Sequence, residues 1–218
     1  AKDGCEVWNG EQFQTGDQMA IAQYTGLKPE QVKINMLFAG GSFGRRANPA
    51  SDYVLEAVSI AVSLARAGKP GIPVKLVWTR EDDMKGGFYR PMYVHALRAG
   101  LDASGNIVGW HHRIVGQSII AGTAFEPMMV KDGVDLTSVE GASTLPYAIA
   151  NLAVELHSPK LPVPVLWWRS VGSTHTAYST ETFVDELAAA AGKDPVEFRR
   201  ALLAKHQLRQ IGQLLRQQ

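Results

Sequence analysis

The chain is poor in cysteine: Cys5 is the only one among 218 residues. A lone thiol excludes an internal disulfide, a thiolate zinc cluster and an iron–sulfur centre, each of which needs several ligands from the same chain. Any redox chemistry served by this chain therefore hands its electrons to another subunit. Net charge is almost absent as well. The 22 Lys and Arg against 21 Asp and Glu leave a formal +1, too little for the broad basic face that nucleic acid demands. No run approaches the roughly 18 apolar residues of a membrane span. The start, Ala1-Lys2-Asp3-Gly4, is charged and lacks the apolar stretch of a signal peptide. It does not begin with Met, and the Gln- and Arg-rich stretch from Lys205 to Gln218 has no turn signal closing it. Both ends read as cuts within a longer protein, with 1–204 as one domain and 205–218 as a tail.

What is present is apolar content, 45% of residues, enough for a substantial core. Cys5–Trp8 reads as a short strand. Met19, Ile21, Ala22 and Leu27 suggest a helix ending near Gly26, and Val32, Ile34 and Met36 alternate as a half-buried strand should. Asp52 caps a helix over 53–66 that is apolar almost all round and is expected to be deeply packed. Val74–Trp78 is the next strand candidate. Segments 93–101 and 107–116 form a hairpin around Asp102-Ala103-Ser104-Gly105-Asn106. Ser118–Pro146 has little periodicity and reads as a long surface excursion. Ala150–Leu156 is a further strand. A long helix spans 173–191 with Gly192 as its stop, and Asp194-Pro195-Val196-Glu197 is a helix-start signature. Mixed strands and helices with antiparallel hairpins predict an α+β fold of layered mixed sheets rather than a doubly wound parallel sheet.

The chemistry concentrates in Gly40-Gly41-Ser42-Phe43-Gly44-Arg45-Arg46, after a strand and before a helix. Small residues let backbone approach a ligand closely and leave N–H groups free for an anion. Two arginines beside them can hold phosphate. The loop lacks the Gly-Lys-Ser/Thr ending of a Walker loop and the glycine spacing of a Rossmann turn. Physics alone leaves two readings open, a site for a pyrophosphate-bearing ligand or a tight turn with solvated arginines.

Further motifs stand in a fixed order around it. Val7-Trp8 precedes Gln12; Thr79-Arg80-Glu81-Asp82-Asp83-Met84 follows a strand candidate; Trp168-Arg169-Ser170-Val171-Gly172 opens the long helix. With the glycine loop, these resemble the molybdopterin-binding large subunits of the xanthine oxidase and aldehyde oxidase family. Gly87-Phe88-Tyr89-Arg90-Pro91 and the Thr180–Ala188 helix look like the isoquinoline 1-oxidoreductase beta subunits in particular. The similarity runs from about Val7 to Leu203, as an internal fragment of such a subunit.

The resemblance implies a layered α+β molybdenum-cofactor domain and roles for named residues. Gln12 would hydrogen-bond an oxygen ligand on molybdenum. Gly40, Gly41, Ser42, Phe43, Gly44 and Arg45 would bring main chain against the pterin dithiolene. Arg169, Ser170, Val171 and Gly172 would form a second cofactor loop, at a helix start whose positive end suits an anion. No residue of the chain is read as a metal ligand. The cofactor implied is molybdopterin with molybdenum, in its cytosine dinucleotide form in bacterial relatives. The partners implied are a small iron–sulfur subunit and, in some relatives, a cytochrome c subunit.

The implied reaction is hydroxylation of an N-heterocycle or an aldehyde with water-derived oxygen. Its general base, a glutamate, lies in the family beyond where this chain ends, so the fragment alone is expected to be inactive. Ala47 stands where the xanthine-specific branch has an acid, and Val171 where it has an aromatic, which disfavours purines. Ser42 replaces a family glycine, tolerable if its φ stays negative.

The remaining candidates have plainer readings. His111 and His112 are adjacent on a strand and point to opposite faces. Trp167 and Trp168 do likewise, one of them in the core. His95, His157, His175 and His206 have no spaced partner. Glu81-Asp82-Asp83 reads as a solvated turn fixed by Asp83, Glu181 and Glu186 as a solvated helix face, and Glu126 and Glu140 as acids without a visible partner. Location stays open between the cytoplasm and the cell envelope, since some relatives are exported folded. A non-catalytic scaffold fragment, or a phosphate- or nucleotide-binding module without molybdenum, are the alternative functions.

Overall fold

A computed structural model describes residues 3–214 of the chain, with side chains through His206. The first two residues of the charged start and the last four of the 205–218 tail lie outside the described residues. The chain forms two compact units, one of Ala1–Tyr89 with Leu166–Arg169, the other of Arg90–Val165 with Ser170–Gln218.

The first unit contains β1 (Cys5–Asn9), α1 (Gln14–Thr25), β2 (Val32–Met36), α2 (Asp52–Arg66) and α3 (Arg80–Lys85). β1 and β2 pair in parallel, Cys5 opposite Val32 and Asn9 opposite Met36. A parallel pair needs a crossover, which α1 supplies. α1 stops where Gly26 takes a left-handed φ of 76° and its N–H bonds back to the Ala22 carbonyl. Ile21, Ala22, Val32, Val54 and Val58 form the core, with Val7 and Ile34 packed against it.

Three expectations for this unit are corrected. α2 buries only Val54 and Val58, an i, i+4 pair on one face, and leaves Ile60 exposed. Leu55 and Val62 are only partly buried at the edge of that core, so the helix is packed on one side rather than deeply. Val74–Trp78 belongs to no ladder, despite its β-rich composition, because no strand among the described residues lies beside it. The acidic run is solvated as expected, but it is a short helix rather than a turn. Thr79 and Asp82 form a reciprocal capping box at its start, while Asp83 only pairs with Arg80 at 3.4 Å.

The second unit holds β3 (Tyr93–Leu101), β4 (Ile107–Gly116), α4 (Glu126–Met129), β5 (Val130–Lys131), β6 (Val134–Asp135), β7 (Leu152–His157), α5 (Ser173–Ala190) and α6 (Pro195–Leu214). The main sheet runs β3-β4-β7, with the first pair antiparallel and β7 parallel to β4. The hairpin loop is closed by the Asp102 carboxylate, which accepts from the amides of Ser104 and Asn106. α5 packs Val184, Leu187 and Ala188 onto Trp110 and Tyr147 of the core, with Phe183 edge-on to Trp110.

Asp194 caps α6 through the amides of Val196 and Glu197. Arg199 then ties α6 to α5, reaching Glu181 at 2.8 Å and Asp185 at 2.5 Å. Glu181 is therefore a paired acid, though still partly exposed: it also accepts from the Tyr147 hydroxyl at 2.8 Å. Burial, and then the Glu181 carboxylate, push that phenol up to about 12.

The segment over 118–146 is corrected too. Ile119, Ile120, Val139, Ala142 and Leu145 within it are buried, so it is a piece of core. Its polar groups are satisfied locally, since Asp135 accepts from the hydroxyls of Ser118, Thr137 and Ser138.

Candidate functional site

In the first unit, β1 and β2 point the same way, so the loops leaving their carboxyl ends emerge together. That edge is the usual ligand side of parallel sheets. The loop after β1 carries Gln12 and the loop after β2 carries Gly40–Arg46. They touch directly: the Gly44 amide donates to the Gln12 side-chain oxygen at 3.0 Å. With its oxygen held there, the Gln12 amide presents its NH2 group as a donor to whatever binds beside the loop.

The glycine loop is built from left-handed backbone. Gly40, Gly41 and Gly44 have φ values of 71°, 106° and 94°, and Phe43 joins them at 52°. Glycine takes such values at no steric cost, whereas a side chain there is strained. Ser42 is the one position of the five without a positive φ, as its replacement of glycine requires.

At Gly44 there is a second constraint, because a Cβ would stand 3.0 Å from the Trp168 Cα. The Trp167–Arg169 segment crosses the loop at this point, and the Arg169 amide donates to the Phe43 carbonyl at 2.6 Å. Gln12, the glycine loop and Arg169 are thus brought together in one unit. Among the described residues, the amides of Gly41, Ser42 and Phe43 donate to no protein acceptor. Such a row of free donors beside the Gln12 NH2 fits an oxygen- and sulfur-rich anionic group.

The arginines have partners inside the chain. Arg45 is paired with Asp52 at 2.7 Å and lies over the Phe88 ring at 5.3 Å. Arg46 donates to the Gly10 carbonyl at 3.0 Å. Both fasten the loop to its scaffold.

Beneath them lies a group that sequence reasoning missed. Asp17 and Glu11 are buried together, and burial, followed by the hydrogen bond with Glu11, pushes the Asp17 carboxyl up to about 8. The same burial and these two acids raise the Tyr53 phenol. The i, i+4 spacing of Asp17 with Ile21 was the available signal, since it places an acid on the apolar face of α1. Nothing in the sequence points to Glu11. Trp167 and Trp168 are both half-buried, so neither is a core residue.

The chain returns to the second unit at Ser170. Ser170 and Val171 have φ values of 72° and 41°, a conformation costing of order 1–3 kcal/mol at each non-glycine residue. Gly172 then opens α5, and its amide is already taken: it donates to the Glu140 carboxylate at 3.0 Å. The sequence expectation that this helix start receives an external anion meets a carboxylate from the chain itself. Glu126 also has a partner, accepting from the Gly122 amide at 2.6 Å.

His95, His112 and His175, read as unconnected, form a chain of imidazoles with N···N distances of 2.8 Å and 3.2 Å. The Tyr93 ring stacks on His175 at 3.6 Å. His95 spends both ring nitrogens on its neighbours, and no metal-binding cluster forms among the described residues. Burial, followed by the neighbouring rings, lowers His112 and His175 to about 4, so all three stay neutral at pH 7. Inward alternation along the hairpin, which puts His112 inside and His111 outside against Glu155, was the signal for two of them.

The model of the family described as "Molybdopterin cofactor-binding domain" matches residues 1–203. The chain belongs to that family. Among curated proteins it is 26% identical over 204 residues to isoquinoline 1-oxidoreductase subunit beta of Brevundimonas diminuta, covering 93% of this chain and 25% of that protein. It is 32% identical over 202 residues to the aldehyde oxidoreductase molybdenum-binding subunit PaoC of Escherichia coli, covering 88% and 25%. The crystal structure of quinoline 2-oxidoreductase from Pseudomonas putida 86 superposes with a TM-score of 0.66 at 21% identity, covering 89% of this chain and 24% of that one. This likeness shows a shared α+β fold. The chain spans about a quarter of the length of the relatives it matches.

Proposed function

We propose that this chain supplies the first contacts to the molybdopterin of a longer molybdenum hydroxylase subunit, which oxidises an N-heterocycle or an aldehyde. The carrying observation is the convergence of Gln12, the glycine loop and Arg169, joined by the bonds Gly44 to Gln12 and Arg169 to Phe43. Gly40 and Gly41 offer bare, exposed backbone against which a flat pterin dithiolene can lie. With the group bound, the NH2 of Gln12 would donate to an oxygen at the metal. When bound, the group supplies the two-electron redox chemistry of the reaction. The general base and the electron-carrying iron–sulfur partner come from outside this chain, so the 218 residues alone turn over no substrate. The cytosine dinucleotide form fits relatives of bacterial type. A phosphate site without molybdenum is less well supported, because Arg45 and Arg46 are already engaged by Asp52 and Gly10.

The test is the pterin and molybdenum content of the subunit that carries this chain, matured in a cofactor-producing host. About one molybdenum per subunit is expected. Gln12→Ala and Gly41→Val should each lower that content several-fold while far-ultraviolet circular dichroism stays unchanged. Full retention in both variants would refute the assignment.

A further inference from the structure

We propose that Glu140 is the positioning residue of the Ser170–Gly172 turn, its carboxylate serving as the missing cap of α5. This rests on the reading of that turn as a cofactor loop and adds what holds it in shape. The turn needs holding. Two consecutive non-glycine residues, one of them β-branched, sit in the left-handed region, which isolated chains avoid. α5 has no cap of its own either, since Gly172 occupies that position without a side chain.

Glu140 answers both needs from 32 residues away. Its carboxylate accepts from the Gly172 amide at 3.0 Å, and its own carbonyl accepts from the Thr176 hydroxyl at 2.6 Å, one turn further along α5. A negative charge at this end also suits the helix dipole. The fit is close on the main-chain side as well. A Cβ on Gly172 would stand 1.9 Å from the Thr137 carbonyl and 2.9 Å from the Glu140 Cβ, and one on Gly141, whose φ is 79°, would stand 2.8 Å from the Thr176 hydroxyl. Asp135 fixes the segment that delivers Glu140, accepting from the amide and hydroxyl of Thr137. The start of α5 is thereby closed to an anionic ligand group at the Gly172 amide. Ligand contacts from this turn come instead through the exposed residues Ser170 and Val171.

The experiment is hydrogen exchange of the Gly172 amide, followed by NMR in the full 218-residue chain for wild type, Glu140→Ala and Glu140→Gln. The Gln side chain keeps an acceptor oxygen at the same reach, so it separates the cap from general loosening. Exchange at least tenfold faster in E140A, with E140Q close to wild type, is expected. Equal acceleration in both variants, or none in either, overturns the proposal. The same variants in the longer subunit separate this from the cofactor reading. Fast exchange in E140A with undiminished pterin content keeps Glu140 as the lock of the turn and removes the turn from the cofactor site.

Discussion

Replacing Asp17 with Asn should abolish most of the pH dependence of stability in the first unit above pH 5. Asp17 has no exposed surface, and its carboxyl rises from 3.8 to about 8 on folding. A folded-state value above the unfolded one means that folding takes up a proton between the two. The contribution is complete below the unfolded value and is lost as pH rises through the folded one. Each unit in that window is worth about 1.4 kcal/mol, so wild type should lose about 3 kcal/mol between pH 5 and pH 7. Asn keeps the shape of the protonated acid and cannot ionise.

The assay is urea unfolding of wild type and Asp17→Asn at pH 5, 6, 7 and 8, taking the difference between the proteins at each pH. The difference cancels the histidines of the second unit, which titrate in both proteins. Asn should cost a little at pH 5 and become the more stable protein by pH 8. A difference that stays constant from pH 5 to pH 8 would show that Asp17 is ionised in the fold, and the buried acid pair would lose its physical basis.

Two further outcomes follow from the same structure. Gly44→Ala meets both a φ of 94° and the Trp168 backbone, whereas Gly40→Ala meets only a φ of 71° in open space. G44A should therefore lower the unfolding free energy by about 1–3 kcal/mol more than G40A, and equal losses in chemical unfolding would contradict the close crossing of Trp168. The His112 and His175 rings, lowered to about 4, should remain neutral by NMR down to about pH 5. A depressed folded value makes their contribution complete above the ordinary histidine range and lost as pH falls toward 4. Either ring titrating near 6.5 would break the imidazole chain.

Elements carried by local periodicity were legible from sequence. The alternation of Val32, Ile34 and Met36, the hairpin over 93–116 and the helix from Ser173 all stand at or within a residue of their expected bounds. What was not legible depends on partners far along the chain. Val74–Trp78 has strand composition but no neighbour to pair with, and composition does not encode a neighbour. The apolar residues of 118–146 are buried without any period, because irregular backbone satisfied by Asp135 replaces a ladder. The tie between Glu140 and Gly172 and the joint burial of Glu11 with Asp17 are likewise features that no local pattern announces.

The candidate site was legible for a different reason: its geometry is written into which positions are glycine. Gly40, Gly41 and Gly44 all sit at positive φ, and Ser42, where the family pattern has a glycine, does not. The departure falls at the one place where a Cβ carries no conformational cost. Phe43 is the opposite case, a bulky residue held at 52° with its ring over Gly41, where an added Cβ would stand 2.7 Å from it. The Arg169 amide accounts for its persistence, since it bonds the Phe43 carbonyl at the crossing point. Strain at Phe43 and the ring contact over Gly41 are therefore one feature, held where the Arg169 amide meets the Phe43 carbonyl.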